Sequence, residues 1–77
     1  MLVMTPEPEK AIRAVIGRRI ATRLEWTGGT RDQLAAALGL TEAKLARVLK
    51  GGSSLTAEQL VWTARVLGCA VKDLLPS

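Results

Sequence analysis

The sequence predicts an all-α fold of five helices packed around one core. Apolar residues make up 48% of the chain and recur at helical spacing. Threonines precede three of the predicted helices, and glycines follow where the periodicity stops. Only 3% of the residues are aromatic, so the core must be built from leucine, valine, isoleucine and alanine. A chain of 77 residues has the length of one small domain.

The first helix is expected to carry one buried face. Pro8 disfavours helical geometry in the residue before it, so the helix should begin between Pro6 and Lys10 and end near Trp26. Residues 1–9 would then form an extension, partly disordered or packed on the domain of residues 10–77. Gly17 costs about 1 kcal/mol of helix propensity, which a close helix crossing would justify. Apolar residues define the buried face: Ile12, Val15, Ile16, Ile20 and Leu24.

The central stretch, residues 30–52, predicts two short helices joined by a tight turn. Thr30 and Gln33 have the spacing of a capping box at the start of the first of these helices. Gly39 suits the left-handed residue that ends it, and Thr41 is placed to cap the next helix. Two helices joined by about three residues that include a glycine form a helix-turn-helix.

The second helix of this motif, about residues 42–50, has two different faces. Leu45, Val48 and Leu49 share one face and predict contact with the core. Ala43, Arg47 and Lys50 follow one another at i, i+4 and i+7 on the opposite face. The spacing therefore predicts an exposed polar, basic stripe.

Two further helices are predicted after the motif. Thr56 and Gln59 repeat the capping-box spacing, and Gly68 ends the helix that they open. Residues 71–75 allow one short closing helix before Pro76. The fourth helix has a predicted buried face of four residues: Leu60, Thr63, Ala64 and Leu67.

The composition argues against catalysis and metal binding. The chain has no histidine, which excludes histidine-based triads, proton relays and metal sites. Its single cysteine, Cys69, excludes an internal disulfide and a thiolate zinc site. We therefore expect no enzyme, no cofactor and no small-molecule ligand. No apolar run approaches the ~20 residues of a membrane span, so we expect no membrane association and a cytoplasmic setting.

The segment LAAALGLTEAKLARVLKG, residues 34–51, resembles the phage repressor and Cro-like helix-turn-helix family, also called XRE. The family shows a Leu-Ala pair, a turn glycine, an apolar-then-Ser/Thr step and a closing glycine. The resemblance covers roughly residues 10–75 and implies a sequence-specific regulator that binds double-stranded DNA in a prokaryotic or phage-infected cell. The flanking residues that extend it are Ile16, Gly17, Ile20, Arg23, Leu60, Ala64, Leu67, Gly68, Asp73 and Leu74.

The resemblance also implies which residues read bases from the major groove. These are Glu42, Ala43 and Arg47. Arg47 is suited to pair with guanine, Glu42 to accept from a cytosine amino group, and Ala43 to touch a thymine methyl. Glu42 equally fits a first-turn acid that complements the helix dipole.

Other polar residues around the motif are expected to contact phosphates. A net charge of +4 and a pI near 10 permit an anionic partner without proving one. The alternative is that the group is a solvated basic face. The candidates are Thr30, Arg31, Thr41, Lys44, Lys50, Ser53 and Ser54.

The sequence departs from the family at two places. The family often has a glutamate near the end of the recognition helix that pairs with an arginine in the first helix. Leu49 holds the glutamate position here, so Arg23 is expected to face phosphate or Glu25 instead. Glu42 and Ala43 replace the usual glutamine-rich start of the recognition helix, so no operator preference carries over.

Trp62 and Val66 lie one turn apart and off the buried face of the fourth helix. Either residues 2–4 fold over them, or they form a homodimer contact together with Leu75. Two other functions stay open besides a DNA-binding regulator. One is a DNA-binding antitoxin with a toxin partner, and the other is a protein-interaction module that binds through the face around Trp62.

Overall fold

The computed structural model describes residues 8–76, and the side-chain surroundings from residue 11 onward. Within that range the chain is all-helical and has no strand, which confirms the predicted fold class. Four α-helices follow one another: α1 (Pro8–Thr27), α2 (Arg31–Leu38), α3 (Glu42–Leu49) and α4 (Ala57–Leu67), with a 3₁₀ turn at Val71–Asp73.

The predicted starts of the second, third and fourth helices are present. The Thr30 hydroxyl accepts a hydrogen bond from the Gln33 amide (3.2 Å), and the Gln33 side chain accepts one from the Thr30 amide (3.0 Å). Thr56 makes the same reciprocal pair at the start of α4, and the Thr41 hydroxyl caps α3. Each cap contributes about 1 kcal/mol to helix stability. Local sequence therefore sets where the last three helices begin.

Glycines end α2 and α4 in the same way. Gly39 adopts a left-handed conformation with φ of 70°, and the Leu40 amide donates back to the Ala35 carbonyl (2.9 Å). Gly68 repeats this at the end of α4, with φ of 69°. The bonds satisfy carbonyls that the helix end leaves unpaired. The turn between α2 and α3 consequently has a fixed geometry.

Residues 71–75, where the sequence allowed a short fifth helix, do not form an α-helix, so the five-helix count is not confirmed. The chain makes only the 3₁₀ turn at Val71–Asp73, closed by bonds between residues three apart, such as Leu74 amide to Val71 carbonyl (2.9 Å). Pro76 lacks an amide hydrogen and disfavours helical geometry in Leu75, so a longer helix cannot propagate. The turn still delivers Leu74 fully buried into the core.

Side chains from every element meet in the core. Thr63 is the one polar residue among the buried side chains of the described range, and its hydroxyl donates to the Gln59 carbonyl (2.8 Å). The predicted buried face of α1 is too long, because Ile12 is 43% exposed and the neighbouring elements cover this face only from Val15 onward. The core residues are Ile20, Leu24, Leu34, Ala35, Leu45, Val48, Ala64, Leu67 and Leu74.

Gly17 lets α1 and α3 cross at backbone distance, as the sequence suggested. A methyl group at Gly17 would lie 2.5 Å from the Leu49 carbonyl oxygen and 2.6 Å from that of Val48. Just beyond α3, Gly51 has φ of 83° and passes equally close to the backbone of α1. The Arg13 side chain donates to the Gly51 carbonyl (3.3 Å). The end of α3 is thus held directly against α1.

Replacing Gly17 with alanine should destabilise the domain by about 2 kcal/mol. The new methyl group meets backbone carbonyls that cannot rotate away, and this overpacking exceeds the ~1 kcal/mol regained in helix propensity. Urea unfolding followed by circular dichroism measures the change. Gly52→Ala is the control, because a methyl group there has no neighbour closer than 3.5 Å. Equal unfolding midpoints for the Gly17→Ala variant and the wild type would contradict the crossing.

Candidate nucleic-acid interface

The two faces of α3 are arranged as the spacing predicts. Leu45 and Val48 are 1% and 2% exposed, and Leu49 is half-buried against the core. Ala43, Arg47 and Lys50 are exposed on the opposite side. The helix of eight residues is about 12 Å long. It presents a short row of side chains on a rigid backbone.

Glu42 is the first residue of α3 and follows the Thr41 cap directly. Its side chain is exposed. A carboxylate in this position complements the positive end of the helix dipole and also stands at the edge of the exposed stripe. The geometry fits both interpretations of Glu42.

The hydroxyl groups of the two capping threonines can each donate a hydrogen bond in addition to the bond that they accept. Thr30 and Thr41 are exposed, and each hydroxyl oxygen accepts one amide bond inside its own helix. The hydroxyl hydrogen is then left to donate to another acceptor, such as a phosphate oxygen. Arg31, the first residue of α2, is exposed beside Thr30.

The loop after α3 lies against the start of the same helix. Lys44 Nζ donates to the Ser53 hydroxyl at 3.3 Å. Ser53 is half-buried and Ser54 is exposed. This contact brings two of the expected phosphate-contacting residues together and leaves Ser54 open beside them.

Arg23, which was expected to face phosphate or Glu25, stacks on Trp26 within the chain. Its guanidinium carbon lies 5.6 Å from the centre of the Trp26 ring. Leu24 lies with Leu49 in the wall of one open concavity of about 180 Å³, which Glu25 and Arg31 also line. Leu24 shares the core face with Ile20, four residues earlier, and this turns Arg23 outward. Leu24 and Leu49 therefore line the same concavity where α1 approaches the end of α3.

An apolar face is exposed on α4. Trp62 is 50% exposed, and Val61 and Val66 are each 44% exposed. The sequence interpretation missed Val61. The guanidinium of Arg65 lies over the Trp62 ring at 5.5 Å. Residues 2–4, which were considered as a cover for this face, lie outside the described residues.

A groove lies beside the apolar face of α4, and the C-terminal segment is bonded to α1. An open groove of about 510 Å³ runs beside Trp62, between α2 and the first turn of α4. Leu75 is half-buried, and its carbonyl accepts a hydrogen bond from Arg19 Nη1 at 2.7 Å. Cys69 is half-buried and packs on the core.

No three histidine, cysteine, aspartate or glutamate side chains in residues 8–76 lie together so that they could hold a metal ion. No helix in that part of the chain combines the length and apolar character needed to span a membrane.

Three solved structures are similar to this chain in fold. The restriction-modification controller protein C.AhdI from Aeromonas hydrophila is 19% identical, with TM-score 0.73 over 80% of this chain and 94% of that one. The clp gene regulator ClgR from Corynebacterium glutamicum is 26% identical, with TM-score 0.78 over 90% and 71%. An HTH_3 family transcriptional regulator from Vibrio cholerae is 21% identical, with TM-score 0.73 over 86% and 37%.

The chain has the phage repressor and Cro-like helix-turn-helix fold. The resemblance inferred from residues 34–51 is thereby confirmed. These neighbours are regulatory proteins rather than enzymes, in agreement with the expectation that this chain is not an enzyme. A comparison with protein-family models finds no match, and a comparison with curated proteins finds none either.

Stability measurements can test whether Leu24 and Leu49 pack against each other in this helix-turn-helix domain. Leu24→Ala should lower the free energy of unfolding by about 2–5 kcal/mol, because it empties a buried site. Arg23→Ala removes only a surface stacking contact and should cost below about 1 kcal/mol.

Combining each change with Leu49→Ala shows which side chain meets Leu49. The Leu24 and Leu49 changes should depart from additivity by at least about 0.5 kcal/mol in urea unfolding, whereas those at Arg23 and Leu49 should add. Coupling of Leu49 to Arg23 instead would show that the arginine reaches the end of α3.

Proposed function

We propose that this chain is a sequence-specific transcription regulator that binds double-stranded DNA, places α3 in the major groove and acts by occupying an operator. The observation that carries the proposal is the exposed stripe of Ala43, Arg47 and Lys50, held opposite the core by a helix-turn-helix. A helix fits the major groove, which is about 12 Å wide, and second helices of such motifs read bases there. The regulatory roles of the structural neighbours support the same function.

Three side chains of α3 are proposed to read bases. Arg47 pairs through its two-pronged guanidinium with the O6 and N7 atoms of a guanine. Glu42 accepts from a cytosine amino group, and Ala43 contacts a thymine methyl. All three are exposed, and Ala43 and Arg47 are separated by one helical turn. They would therefore meet neighbouring base pairs.

The phosphate contacts are proposed to surround this helix and fix its register. Arg31 and Thr30 stand at the start of α2, where exposed amides and the helix dipole favour an anion. Lys44 lies beside the loop after α3, and Lys50 is at its other end. Such contacts position a protein on DNA without reading sequence. Thr41, Ser53 and Ser54 complete the set.

We further propose that the chain binds DNA as a homodimer through Trp62, Val66 and Leu75. One small domain contacts few base pairs, and two-fold pairing doubles the contacts on half-sites about one helical turn apart. Exposed aromatic and aliphatic side chains on α4 provide an apolar centre for the interface. Such a regulator would act on DNA in the cytoplasm of a prokaryotic or phage-infected cell.

The same apolar face supports a second candidate. A toxin or another protein partner could occupy the surface around Trp62 in place of a second copy. A DNA-binding antitoxin would then show duplex binding that changes when its partner is present. A pure protein-interaction module would bind no duplex at any salt concentration.

Duplex binding is tested with fragments selected from a random pool and titrated over a range of salt. The logarithm of affinity should fall with the logarithm of salt concentration by about 0.9 for each phosphate contacted. Arg47→Ala should cost about 1–3 kcal/mol on the selected site and relax preference at one base pair. Lys50→Ala should weaken all sequences alike and lower the salt slope by about 1.

Lys72→Ala is the matched control, because Lys72 is an exposed cation in the 3₁₀ turn, outside the motif. It removes the same charge and should change neither sequence preference nor the salt slope by a comparable amount. No binding to any duplex, or an affinity insensitive to salt, would refute DNA binding. Equal losses for Arg47→Ala on specific and random duplexes would make Arg47 a phosphate contact.

The dimer contact is tested by sedimentation equilibrium. The wild type should approach twice the chain mass of 8.2 kDa at high concentration or on DNA. Trp62→Ala should stay monomeric and folded, because the buried face of α4 is unchanged, and should bind the selected duplex more weakly. Trp26→Ala removes an equally large exposed side chain from α1 and is the control. A wild type that remains monomeric, or an unfolded Trp62→Ala variant, would contradict the assigned contact.

A further inference from the structure

The outer face of α1 carries cations that the proposed DNA contact does not use. Between residues 10 and 26 the sequence has five basic residues and one acidic residue, Glu25. Part of this set lies on one side of the helix, together with a tryptophan at its end. We name this side the Arg–Trp stripe, and it consists of Arg18, Arg19, Thr22, Arg23 and Trp26.

Helix geometry places the Arg–Trp stripe away from α3. Nine residues separate Gly17 and Trp26, which is about two and a half turns, so they lie on opposite sides of α1. Gly17 is the residue that meets the carbonyls of α3. The stripe therefore stays accessible while α3 is engaged with a duplex.

The side chains of the stripe are held in place by their neighbours. Arg23 stacks over the Trp26 ring at 5.6 Å, and Arg19 Nη1 donates to the Leu75 carbonyl at 2.7 Å. The Thr27 hydroxyl closes the end of α1 on the Leu24 carbonyl (2.9 Å). Trp26 nevertheless remains 75% exposed. A large aromatic surface is thus presented at a fixed position between cations.

The surroundings of the two Arg–Trp pairs indicate different partners. Trp62 with Arg65 lies beside exposed valines, as in the apolar centre of a protein interface. The other members of the stripe around Trp26 are three arginines and a threonine, so an apolar centre is missing there. Two copies of the stripe would also repel each other. These features favour a partner that supplies negative charge and flat aromatic groups.

We propose that the Arg–Trp stripe binds single-stranded nucleic acid, with a base stacked on Trp26 and phosphates paired with the guanidinium groups. Single-strand-binding surfaces combine aromatic stacking platforms, arginine and a positive potential. An unpaired base exposes the face that an indole needs, whereas bases in a duplex are already stacked on one another. The inference goes beyond the duplex contact of α3 and does not depend on it.

Tryptophan fluorescence gives a direct readout. The chain has two tryptophans and no tyrosine, so Trp62→Phe leaves Trp26 as the only strong emitter. An eight-nucleotide oligo-dT should quench its emission saturably, and a blunt duplex of the same length should not. For two phosphate contacts the salt slope should be about 1.4, so a tenfold rise in salt weakens binding about 25-fold.

Matched variants distinguish an effect of the Arg–Trp stripe on binding from an effect of the net charge of the protein. In anisotropy measurements with labelled oligo-dT, Trp26→Ala should weaken binding about five-fold to a hundred-fold, as expected for one lost stacking contact. Arg23→Gln should lower the salt slope by about 0.7. Arg65→Gln removes the same charge beside the other tryptophan and should leave both values unchanged. Circular dichroism confirms that each variant is folded.

Three results would overturn the inference. They are absence of quenching by oligo-dT, equal effects of Arg65→Gln and Arg23→Gln, and equal quenching by poly-glutamate, which would point to an acidic protein partner. Duplex binding is measured in separate titrations with the selected fragment. Loss of one activity is therefore distinguishable from loss of the other.

Discussion

The position of α3 depends on a backbone contact with α1 at Gly17. The last carbonyls of α3 approach α1 so closely that no side chain fits between the two helices. Any larger residue would push the helix outward and tilt its exposed stripe. In a domain this small, where net stability is only a few kcal/mol, such a contact also decides whether the core closes. The close approach at Gly17 consequently affects both the orientation of α3 and the stability of the domain.

The leucine pair near that crossing shows how the domain does without an ion pair. Leu24 and Leu49 line the same concavity. The resemblance noted in the sequence implies an arginine–glutamate pair between α1 and the recognition helix at this place. Apolar contact there needs no compensation for desolvated charge, which an ion pair at the edge of a core must supply. It also frees Arg23 to stack on Trp26. The leucine at position 49 thus affects both the core beside α1 and the position of Arg23 on the outer surface of α1.

Features encoded by neighbouring residues were predictable from the sequence, and features set by distant contacts were not. The caps at Thr30, Thr41 and Thr56 follow from residue types three apart, and the faces of α3 follow from helical periodicity. The fifth helix was not confirmed as an α-helix, since Pro76 disfavours propagation beyond the 3₁₀ turn at Val71–Asp73. The buried position expected for Ile12 was wrong because its exposure depends on where α1 meets its neighbours. The roles of the exposed residues toward DNA depend on a partner, so neither pattern nor fold determines them alone.

The two tryptophans show why local chemistry alone does not define a surface. Each is followed or preceded by an arginine three residues away, and each guanidinium lies 5.5–5.6 Å from its ring. On α4 the pair lies beside exposed valines, and burying them against another apolar surface releases water. On α1 the pair lies among cations. Burial against an apolar surface would remove these charges from water without supplying a counter-ion, which is unfavourable. The same Arg–Trp contact therefore favours protein association on one helix and an anionic, stackable partner on the other.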